Sequence, residues 1–384
     1  MIAQSPTVQA SRLLESSGWL DDILIRICIA LQLTPTQYED AKTHYHGVAK
    51  WLAAEGSPLA SISQEIFPQG SLRIGTTVRP WWQEEYDLDL VLRLDIWNEI
   101  DPVVLLNLVE QRLRGHGTYA PMVERKNRCV RLNFAKQFHL DIIPARPDAR
   151  FSGTHVLVPD RGAHCWKESN PKGYALWFEE RGALMSQFRL MEKRATVQPL
   201  PIPEEASDKN SLQLTVQLLK RWRDIYFIGD PELAPISIVL TTLAGTYYSG
   251  EPHPLLALRS IVRSINEAIP AVGRLKVCNP ANPFEDLSER WDNDPEAYRA
   301  FVGAMQDLEG RIIDLESARG IADGAKRLEA LFGERVAKEA VVRQAKALEE
   351  ARRSSSLGVT RAGALTAIPS VGSTPVRTNT FYGG

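Results

Sequence analysis

The hydrophobic positions in the first sixty residues predict two amphipathic helices. In the first, between Val8 and Leu31, apolar residues recur every three or four positions; they are Leu13, Leu14, Leu20, Ile23, Leu24 and Ile27. In the second, Thr34-Pro35-Thr36 is a typical helix start, and an apolar stripe follows it to about Glu55. An apolar stripe of this width usually faces a core. We therefore expect an N-terminal helical segment over residues 1–60.

A different pattern follows, in which acidic and apolar residues alternate over residues 85–91. Alternation with a period of two predicts a β-strand, where residues i and i+2 face the same side. Asp87 and Asp89 therefore share one face, while the leucines between and after them turn towards a core. Two neighbouring carboxylates repel each other unless a cation neutralises them, and Mg²⁺ binds such oxygens well. A solvated edge-strand face is the alternative interpretation.

Two further features favour a metal-dependent phosphate site. Residues 139–144, HLDIIP, form a second apolar strand with an acid, and Asp141 completes a three-carboxylate cluster if the two strands pair. Three carboxylates can hold two metal ions, which in phosphoryl transfer clamp the attacking and leaving oxygens. Upstream, the Gly70-Ser71 turn could hold nucleotide phosphates through its N–H groups and the hydroxyl, although an ordinary turn is the simpler interpretation. For His139, on the face of Asp141, we favour a structural or solvent-facing role.

Together these motifs resemble the signature of the polymerase-beta-like nucleotidyltransferases. The segments QGSLRIGTTVRP, EYDLDLV, LDIIPA, SNPKGYALWF and LLKRWRD are similar to those of the bacterial cGAS/DncV-like nucleotidyltransferases, or CD-NTases. The resemblance spans about residues 67–291. It implies an α+β fold with a nucleotidyltransferase lobe, in which helices back a mixed sheet, and a helical lobe, linked by a long N-terminal spine helix. It also implies two Mg²⁺ ions on Asp87, Asp89 and Asp141, with the ion on Asp141 favouring deprotonation of the attacking hydroxyl.

The resemblance further implies a set of nucleotide-binding residues. Ser71, with Gln69 and Gly70 beside it, would cradle the donor triphosphate. Lys220, in LLKRW, would neutralise the triphosphate, and Ser237 at a helix start would add a contact. By its helical position alone, Lys220 could equally be a solvated surface lysine.

Asn170 is open to two interpretations. It precedes Pro171, and a residue in that position commonly caps a helix. If the segment acts as a lid over the nucleotide, the side-chain amide could instead recognise a base edge, because it both donates and accepts hydrogen bonds.

Length and composition divide the chain and limit its class. A chain of 384 residues suggests two lobes. We predict N-terminal helices at 1–60, a catalytic lobe with its lid segment at 61–205, a helical lobe at 206–353 and a disordered, acid-free tail at 354–384. The formal net charge is −2, so nucleotide binding must rely on a local basic patch. The four cysteines are scattered, and neither a signal peptide nor a membrane span is recognisable, so we expect a cytoplasmic protein.

We therefore predict a Mg²⁺-dependent nucleotidyltransferase that joins NTPs, ATP among them, into a cyclic di- or trinucleotide and releases pyrophosphate. The resemblance implies that this product is a second messenger in bacterial anti-phage (CBASS) defence and activates a separate effector. Two alternatives stay open. One is a template-independent nucleotidyltransferase that makes linear or protein-linked products, and the other is a non-catalytic nucleic-acid sensor of the same fold.

The chain ends in Phe381-Tyr382-Gly383-Gly384, which resembles a conjugation tail. Two glycines lack side chains, so an extended terminus of this kind can thread a narrow channel, and the two aromatic residues would anchor it. The resemblance implies a ubiquitin-activating-like ligase that links Gly384 to other proteins. A terminus without a role is the alternative.

Overall fold

The computed structural model describes residues 19–62, 64–80, 85–96, 99–134, 138–151, 153–183, 209–319, 321–354, 356–359, 365–366 and 374–376. These residues form a mixed β-sheet with helices against it and, beside the sheet, a second assembly made almost entirely of helices. The α+β fold with a sheet lobe and a helical lobe is therefore confirmed.

The helices are α1 (residues 19–30), α2 (Pro35–Ala53), α3 (Gly70–Arg73), α4 (Pro102–Arg114), α5 (Pro171–Gly182), α6 (Ser211–Tyr226), α7 (Ser237–Tyr247), α8 (Pro254–Ala268), α9 (Arg290–Asn293), α10 (Pro295–Glu316), α11 (Ile321–Phe332) and α12 (Glu334–Arg353). The strands of the large sheet are β1 (Gln64–Gln69), β2 (Tyr86–Leu94), β3 (Val123–Arg125), β4 (Val130–Phe134), β5 (Phe138–Pro147), β6 (Val156–Asp160) and β7 (Cys165–Ser169). A hairpin of β8 (Cys278–Asn279) and β9 (Asn282–Asp286) belongs to the helical lobe.

The large sheet has the strand order β1-β2-β5-β4-β3, and β6 and β7 extend it from β5. Strands β2 and β5 run parallel, while the other neighbouring pairs are antiparallel. In the parallel pair, Asp89 lies opposite Asp141 and Asp87 lies opposite His139. The pairing on which a three-carboxylate cluster depended is thus present.

One face of this sheet is packed against α2 and α4. The core there contains the alternating leucines of β2, Leu88, Leu90 and Leu92, together with apolar side chains from both helices. Helix α2 begins where its sequence predicted, because Thr34 accepts a hydrogen bond from the backbone N–H of Gln37 and completes a capping box. The apolar residues of β2 therefore hold one side of the strand inside and leave its acids on the other.

The second core is formed by α1, α5, α6, α7, α8, α10, α11 and α12. The predicted stripe of the first helix is confirmed from Leu20 onwards, since Leu20, Ile23, Leu24 and Ile27 are buried in this core. Its earlier positions, before residue 19, lie outside the described residues. The helical conformation is interrupted at residues 31–34, between α1 and α2. Helix α1 packs in the helical core, and α2 packs in the sheet core. Two successive helices, rather than α2 alone, therefore connect the lobes.

The tail was predicted to be disordered, but the part of it that the structure describes contains short strands. Strands β10 (Gly358–Val359), β11 (Leu365–Thr366) and β12 (Thr374–Pro375) form a small antiparallel sheet with β10 in the centre. Composition argued against a buried core here, but strands of two residues can be held by backbone hydrogen bonds, such as the one from the Val376 N–H to the Leu357 carbonyl. The terminal residues 377–384, including the Gly384 of the conjugation hypothesis, lie outside the described residues.

Among the residues that the structure describes, no helix combines the length and the apolar composition that crossing a bilayer requires.

Candidate active site

Three carboxylates lie on adjacent strands of the sheet, at the side that faces the helical lobe. Asp87 and Asp89 come from β2 and Asp141 comes from β5, in the parallel register that places Asp89 beside Asp141. The Asp87 side chain is 60% exposed, whereas that of Asp141 is only 13% exposed. His139 extends towards Glu85, with its Nδ1 atom 2.9 Å from Oε2 of that carboxylate. The structure thus brings all three predicted acids to one place.

Arg131 is a fourth charged residue of this cluster, and the sequence analysis missed it. It lies on β4 directly opposite Asp141. Its Nε donates to Oδ1 of Asp141 at 2.7 Å, its Nη2 donates to Oδ2 at 2.8 Å, and Nη2 also lies 3.3 Å from Oδ1 of Asp87. The pattern of β4 contained the signal, because Val130, Leu132 and Phe134 alternate inward and leave residue 131 on the face of the acids.

The electrostatics of the cluster show an excess of negative charge. Burial, followed by repulsion from Asp141 and Asp87, raises the pKa of Asp89 to about 7. The pKa of Asp87 is also raised, although its side chain is 60% exposed: desolvation by the surrounding walls of the cleft raises it, Arg131 opposes the change and Asp141 adds to it. These shifts mean that the ionised carboxylates are poorly compensated by the protein alone, so an added cation would be stabilised here.

The donor set suits a divalent metal, although its ligands are not preassembled. Carboxylate oxygens are what Mg²⁺ prefers in proteins, and the carboxylates here belong to adjacent strands. Within the described ranges, however, no group of three or more acidic, histidine or cysteine side chains is already arranged around a common metal position. Arg131 instead holds Asp141 through both of its oxygens. The residues therefore fit the metal on condition that Arg131 gives up these contacts.

Gly70 lies against Asp89 at the junction of β1 and α3. Its φ angle is +66°, and a Cβ atom built on it would lie 2.1 Å from Oδ2 of Asp89. Any other residue would therefore combine an unfavourable backbone angle with a collision against the carboxylate. Next to it, the Ser71 hydroxyl lies 3.1 Å from the Thr77 hydroxyl. The Gly-Ser pair is consequently more than a surface turn, because it is fitted against the acidic cluster.

Lys220 reaches the same region from α6 and is not a solvated lysine. The residue is 7% exposed, and its ammonium donates to the Thr76 carbonyl at 3.0 Å and to the Thr76 hydroxyl at 3.1 Å. Burial, followed by the positive charge of Arg223, lowers its pKa to about 7. An ammonium has three N–H donors, and these contacts use two of them. The structure therefore gives Lys220 an anchoring contact in addition to its position beside the cavity.

Ser237 is the first residue of α7, and Arg223 holds its hydroxyl. The Nη1 atom of Arg223 donates to Oγ of Ser237 at 2.6 Å, while its Nε donates to Oδ1 of Asp224 at 2.9 Å. The serine, the arginine and Lys220 all face the same space as the carboxylates. The net charge of −2 led us to expect that nucleotide binding relies on local basic residues, and Lys220 and Arg223 are two such residues beside the carboxylates.

The three carboxylates, Arg131, the Gly70-Ser71 turn and the side chains from α6 and α7 line one cavity of about 1000 Å³ between the two lobes. This volume is at the upper end of the usual range for ligand pockets. Eight of the predicted site residues contribute to its wall, and they are Gln69, Gly70, Ser71, Asp87, Asp89, Asp141, Lys220 and Ser237.

Asn170 is placed differently from the other candidates. It is 3% exposed, accepts a hydrogen bond from the Gly173 N–H at 3.0 Å, and donates from Nδ2 to the Ala281 carbonyl at 3.0 Å. It therefore caps α5 and ties that helix to the β8–β9 hairpin. Because these contacts engage both ends of the amide, the structure supports the helix-cap interpretation and not the recognition of a base.

The fold and the cavity together define a class of enzyme. A mixed sheet that presents three carboxylates from adjacent strands, opposite a helical lobe that supplies a lysine and a helix start, is the architecture of a polymerase-beta-like nucleotidyltransferase.

Comparison with known proteins narrows this class. The family model of the Second Messenger Oligonucleotide or Dinucleotide Synthetase domain matches residues 20–182. A c-di-GMP synthase of Roseivirga ehrenbergii is 33% identical over 95% of this chain and 97% of its own. The cyclic dinucleotide synthase CdnG of Bradyrhizobium diazoefficiens is 28% identical over 90% of this chain and 88% of its own. The structure of that CdnG in complex with GTP superimposes with a TM-score of 0.69, at 24% identity over 84% of this chain and 98% of the other. The chain belongs to the cGAS/DncV-like nucleotidyltransferases, the CD-NTases, which produce cyclic oligonucleotides.

Proposed function

We propose that this enzyme joins two molecules of GTP into cyclic di-GMP in a Mg²⁺-dependent reaction that releases pyrophosphate. The observation that carries the nucleotidyl transfer is the in-register pair Asp89 and Asp141, which lines the same nucleotide-sized cavity as Lys220. The choice of guanine rests on the c-di-GMP synthase that matches nearly the whole chain. The earlier expectation that ATP is among the substrates is tested by the same experiment.

Mg²⁺ would be held by Asp87, Asp89 and Asp141, where it would neutralise phosphate charge and lower the pKa of the attacking hydroxyl. The raised pKa of Asp89 supports this assignment, because it results from burial and then from repulsion by Asp141 and Asp87, and a bound cation would offset both. Because Gly70 lacks a Cβ atom, the Asp89 carboxylate can pack directly against the backbone of the Gly70-Ser71 turn, which keeps the two groups close together.

The remaining residues bind and orient the donor nucleotide. The Ser71 hydroxyl and the backbone at Gln69 and Gly70 hold the triphosphate, and Lys220 and Ser237 of the helical lobe supply a positive charge and a hydroxyl. The 2′- or 3′-hydroxyl of the acceptor attacks the α-phosphorus of the donor. A new O–P bond forms, the bond to the β-phosphate oxygen breaks and pyrophosphate leaves. A second transfer of the same kind closes the ring.

The test is incubation of the purified protein with each of the four NTPs and with their mixture, in the presence of Mg²⁺, followed by mass identification of the products. We expect a product with the mass of cyclic di-GMP from GTP alone, two pyrophosphates per ring and no product in EDTA. The product should resist both phosphatase, which removes the terminal phosphates of linear oligonucleotides, and exonuclease, which cleaves them from a free end. A linear or protein-linked product would contradict cyclisation, and the absence of NTP consumption would favour a non-catalytic sensor. The Asp89→Asn variant provides the matched inactive control.

We further propose that the product is a second messenger of a CBASS anti-phage system and activates a separate effector, and that a ubiquitin-activating-like ligase conjugates Gly384. Membership of the family supports the first proposal. The second rests on the family and on the residues Gly383-Gly384. Co-expression of a candidate ligase with the intact chain, and with a chain lacking the two glycines, tests the second proposal. Slower-migrating conjugates should appear only with the intact end, and equal conjugation of both chains would contradict it.

A further inference from the structure

Arg131 is held in place by two independent constraints. The antiparallel register of β4 and β5 sets it opposite Asp141, and its guanidinium then engages both oxygens of that carboxylate at 2.7 and 2.8 Å. The side chain is 20% exposed, and Asp141 is 13% exposed. A forked, half-buried contact of this kind is among the strong charge-assisted hydrogen bonds.

This contact competes directly with a metal on the same carboxylate. Carboxylate oxygens are ligands that a divalent ion prefers, and each oxygen of Asp141 already uses one lone pair to accept a hydrogen bond from a cation. The same Nη2 atom lies 3.3 Å from Oδ1 of Asp87, so a second prospective ligand is also affected. A divalent ion that joined Asp141 with Arg131 still in place would have a positive charge as its immediate neighbour.

We propose that Arg131 is an internal cation that occupies the carboxylates of the metal-free enzyme and has to leave Asp141 before the metal can bind there. Arg131 thereby weakens metal binding by the protein alone. An incoming triphosphate brings enough negative charge to accept both the metal and the displaced guanidinium, so the metal site is completed only together with the nucleotide. This inference rests on the proposed metal-dependent function and assigns Arg131 as a positioning residue for it.

A purely structural role for Arg131 makes a different prediction. If the residue only braces β4 against β5, its removal should lower the stability of the fold and leave metal affinity unchanged or weaker. If it competes with the metal, its removal should strengthen metal binding in the absence of nucleotide. Metal affinity therefore separates the two roles, whatever happens to activity.

The experiment is calorimetric titration of the nucleotide-free, full-length protein with Mn²⁺, used as the probe ion. We expect Arg131→Gln to bind Mn²⁺ at least fivefold more tightly than the wild type. Arg131→Lys, which retains the charge but not the fork, should bind with intermediate affinity. If Arg131→Gln does not fold by circular dichroism, the more conservative lysine variant carries the same test.

The matched control is Arg128→Gln, which removes one positive charge from the wall of the same cavity. Arg128 pairs with Asp160 at 3.1 Å and with Glu289, and not with the three carboxylates. Its Mn²⁺ affinity should stay within twofold of the wild type. If Arg128→Gln and Arg131→Gln gained equally in Mn²⁺ affinity, the effect would come from the loss of any positive charge in the cavity, and the proposal would be overturned.

A second reference locates the ion. Asp89→Asn should weaken Mn²⁺ binding, and an unchanged affinity would show that the titrated ion lies elsewhere and overturn the proposal. Undetectable binding by the wild type with clear binding by Arg131→Gln would support it, while undetectable binding in every variant would contradict it. Because the titration requires no product, it can succeed or fail independently of whether the enzyme makes cyclic di-GMP.

Discussion

Lys220 holds an ammonium group in a buried position, and this burial predicts how the stability of the metal-free protein varies with pH. Its pKa is lowered from 10.5 to about 7, mainly by burial and then by Arg223. In the unfolded chain a lysine keeps its ordinary pKa near 10.4. Between about pH 7 and pH 10.5 the unfolded chain therefore binds more protons at this residue than the folded chain does. The free energy of unfolding should accordingly rise with pH across that window.

The size of the effect follows from the same two pKa values. A difference of one bound proton changes the free energy of unfolding by about 1.36 kcal/mol per pH unit, and at pH 7 the folded lysine is already half deprotonated. From pH 7 to pH 9, the wild type should therefore gain about 2 kcal/mol relative to Lys220→Met, which keeps a side chain of similar length but cannot titrate. Urea unfolding of both proteins in EDTA at pH 7, 8 and 9, followed by circular dichroism, measures this difference.

An exposed lysine provides the control for this measurement. Lys42, on α2, has a side chain that is 43% exposed and pairs with Glu39 at 3.4 Å. Lys42→Met, measured over the same pH range, gives the baseline for replacing a lysine by methionine. If the difference for Lys220→Met does not exceed this baseline, or increases towards lower pH, then the hydrogen bonds to Thr76 keep the Lys220 ammonium charged in the folded protein and the reasoning is wrong.

Three further changes test other parts of the site. Gly70→Ala should abolish synthesis and lower the melting temperature more than Gly56→Ala does. Both changes place a side chain at positive φ, at a cost of about 1–2 kcal/mol, but only at Gly70 does the new Cβ atom meet the Asp89 carboxylate, at 2.1 Å, whereas the Cβ at Gly56 has nothing within 4 Å. Asp89→Asn should also abolish synthesis, yet its metal-free melting temperature should exceed that of the wild type by a margin that grows from pH 5 to pH 8. The reason is that the pKa of Asp89 is raised in the folded protein, so the wild type becomes less stable as this carboxylate ionises. A constant or shrinking margin would contradict the raised pKa. Asn170→Ala should cost about 1 kcal/mol of stability through the lost helix cap without changing which NTP is used, and an altered base preference would restore the recognition role.

The sequence predicted those parts of the site that depend on local periodicity. The alternation over residues 85–91 placed Asp87 and Asp89 on one face of a strand, and the structure has that strand with its leucines buried. The position of Asp141 beside them could only be conditional, because strand pairing is a long-range property. The structure fulfils this condition, because β2 and β5 pair in a parallel register that places Asp89 opposite Asp141.

The sequence did not determine which group each polar side chain would contact. Arg131 could be placed on the face of the acids by the alternation of β4, yet nothing local says that its guanidinium would meet Asp141. Asn170 fitted both a helix cap and a base-recognition role because the same amide chemistry serves both, and the structure favours the cap because the amide contacts the Gly173 N–H and the Ala281 carbonyl. In the tail, composition predicts little apolar burial, but it does not exclude short strands such as β10 that depend on backbone hydrogen bonds.

Helix α6 shows why a lysine in this position is ambiguous from sequence, and what the structure adds to its role. Gln213, Gln217 and Lys220 recur at intervals of three or four residues and therefore share one face of the helix. Along that face their side chains donate to the carbonyls of Ile74, Thr77 and Thr76, at 3.2, 2.7 and 3.0 Å. This backbone segment follows α3 and carries the hydroxyl that contacts Ser71. The helical lobe thus holds the loop that follows α3 directly, so any closure of the cavity around a nucleotide must either move α6 and this loop together or break these hydrogen bonds.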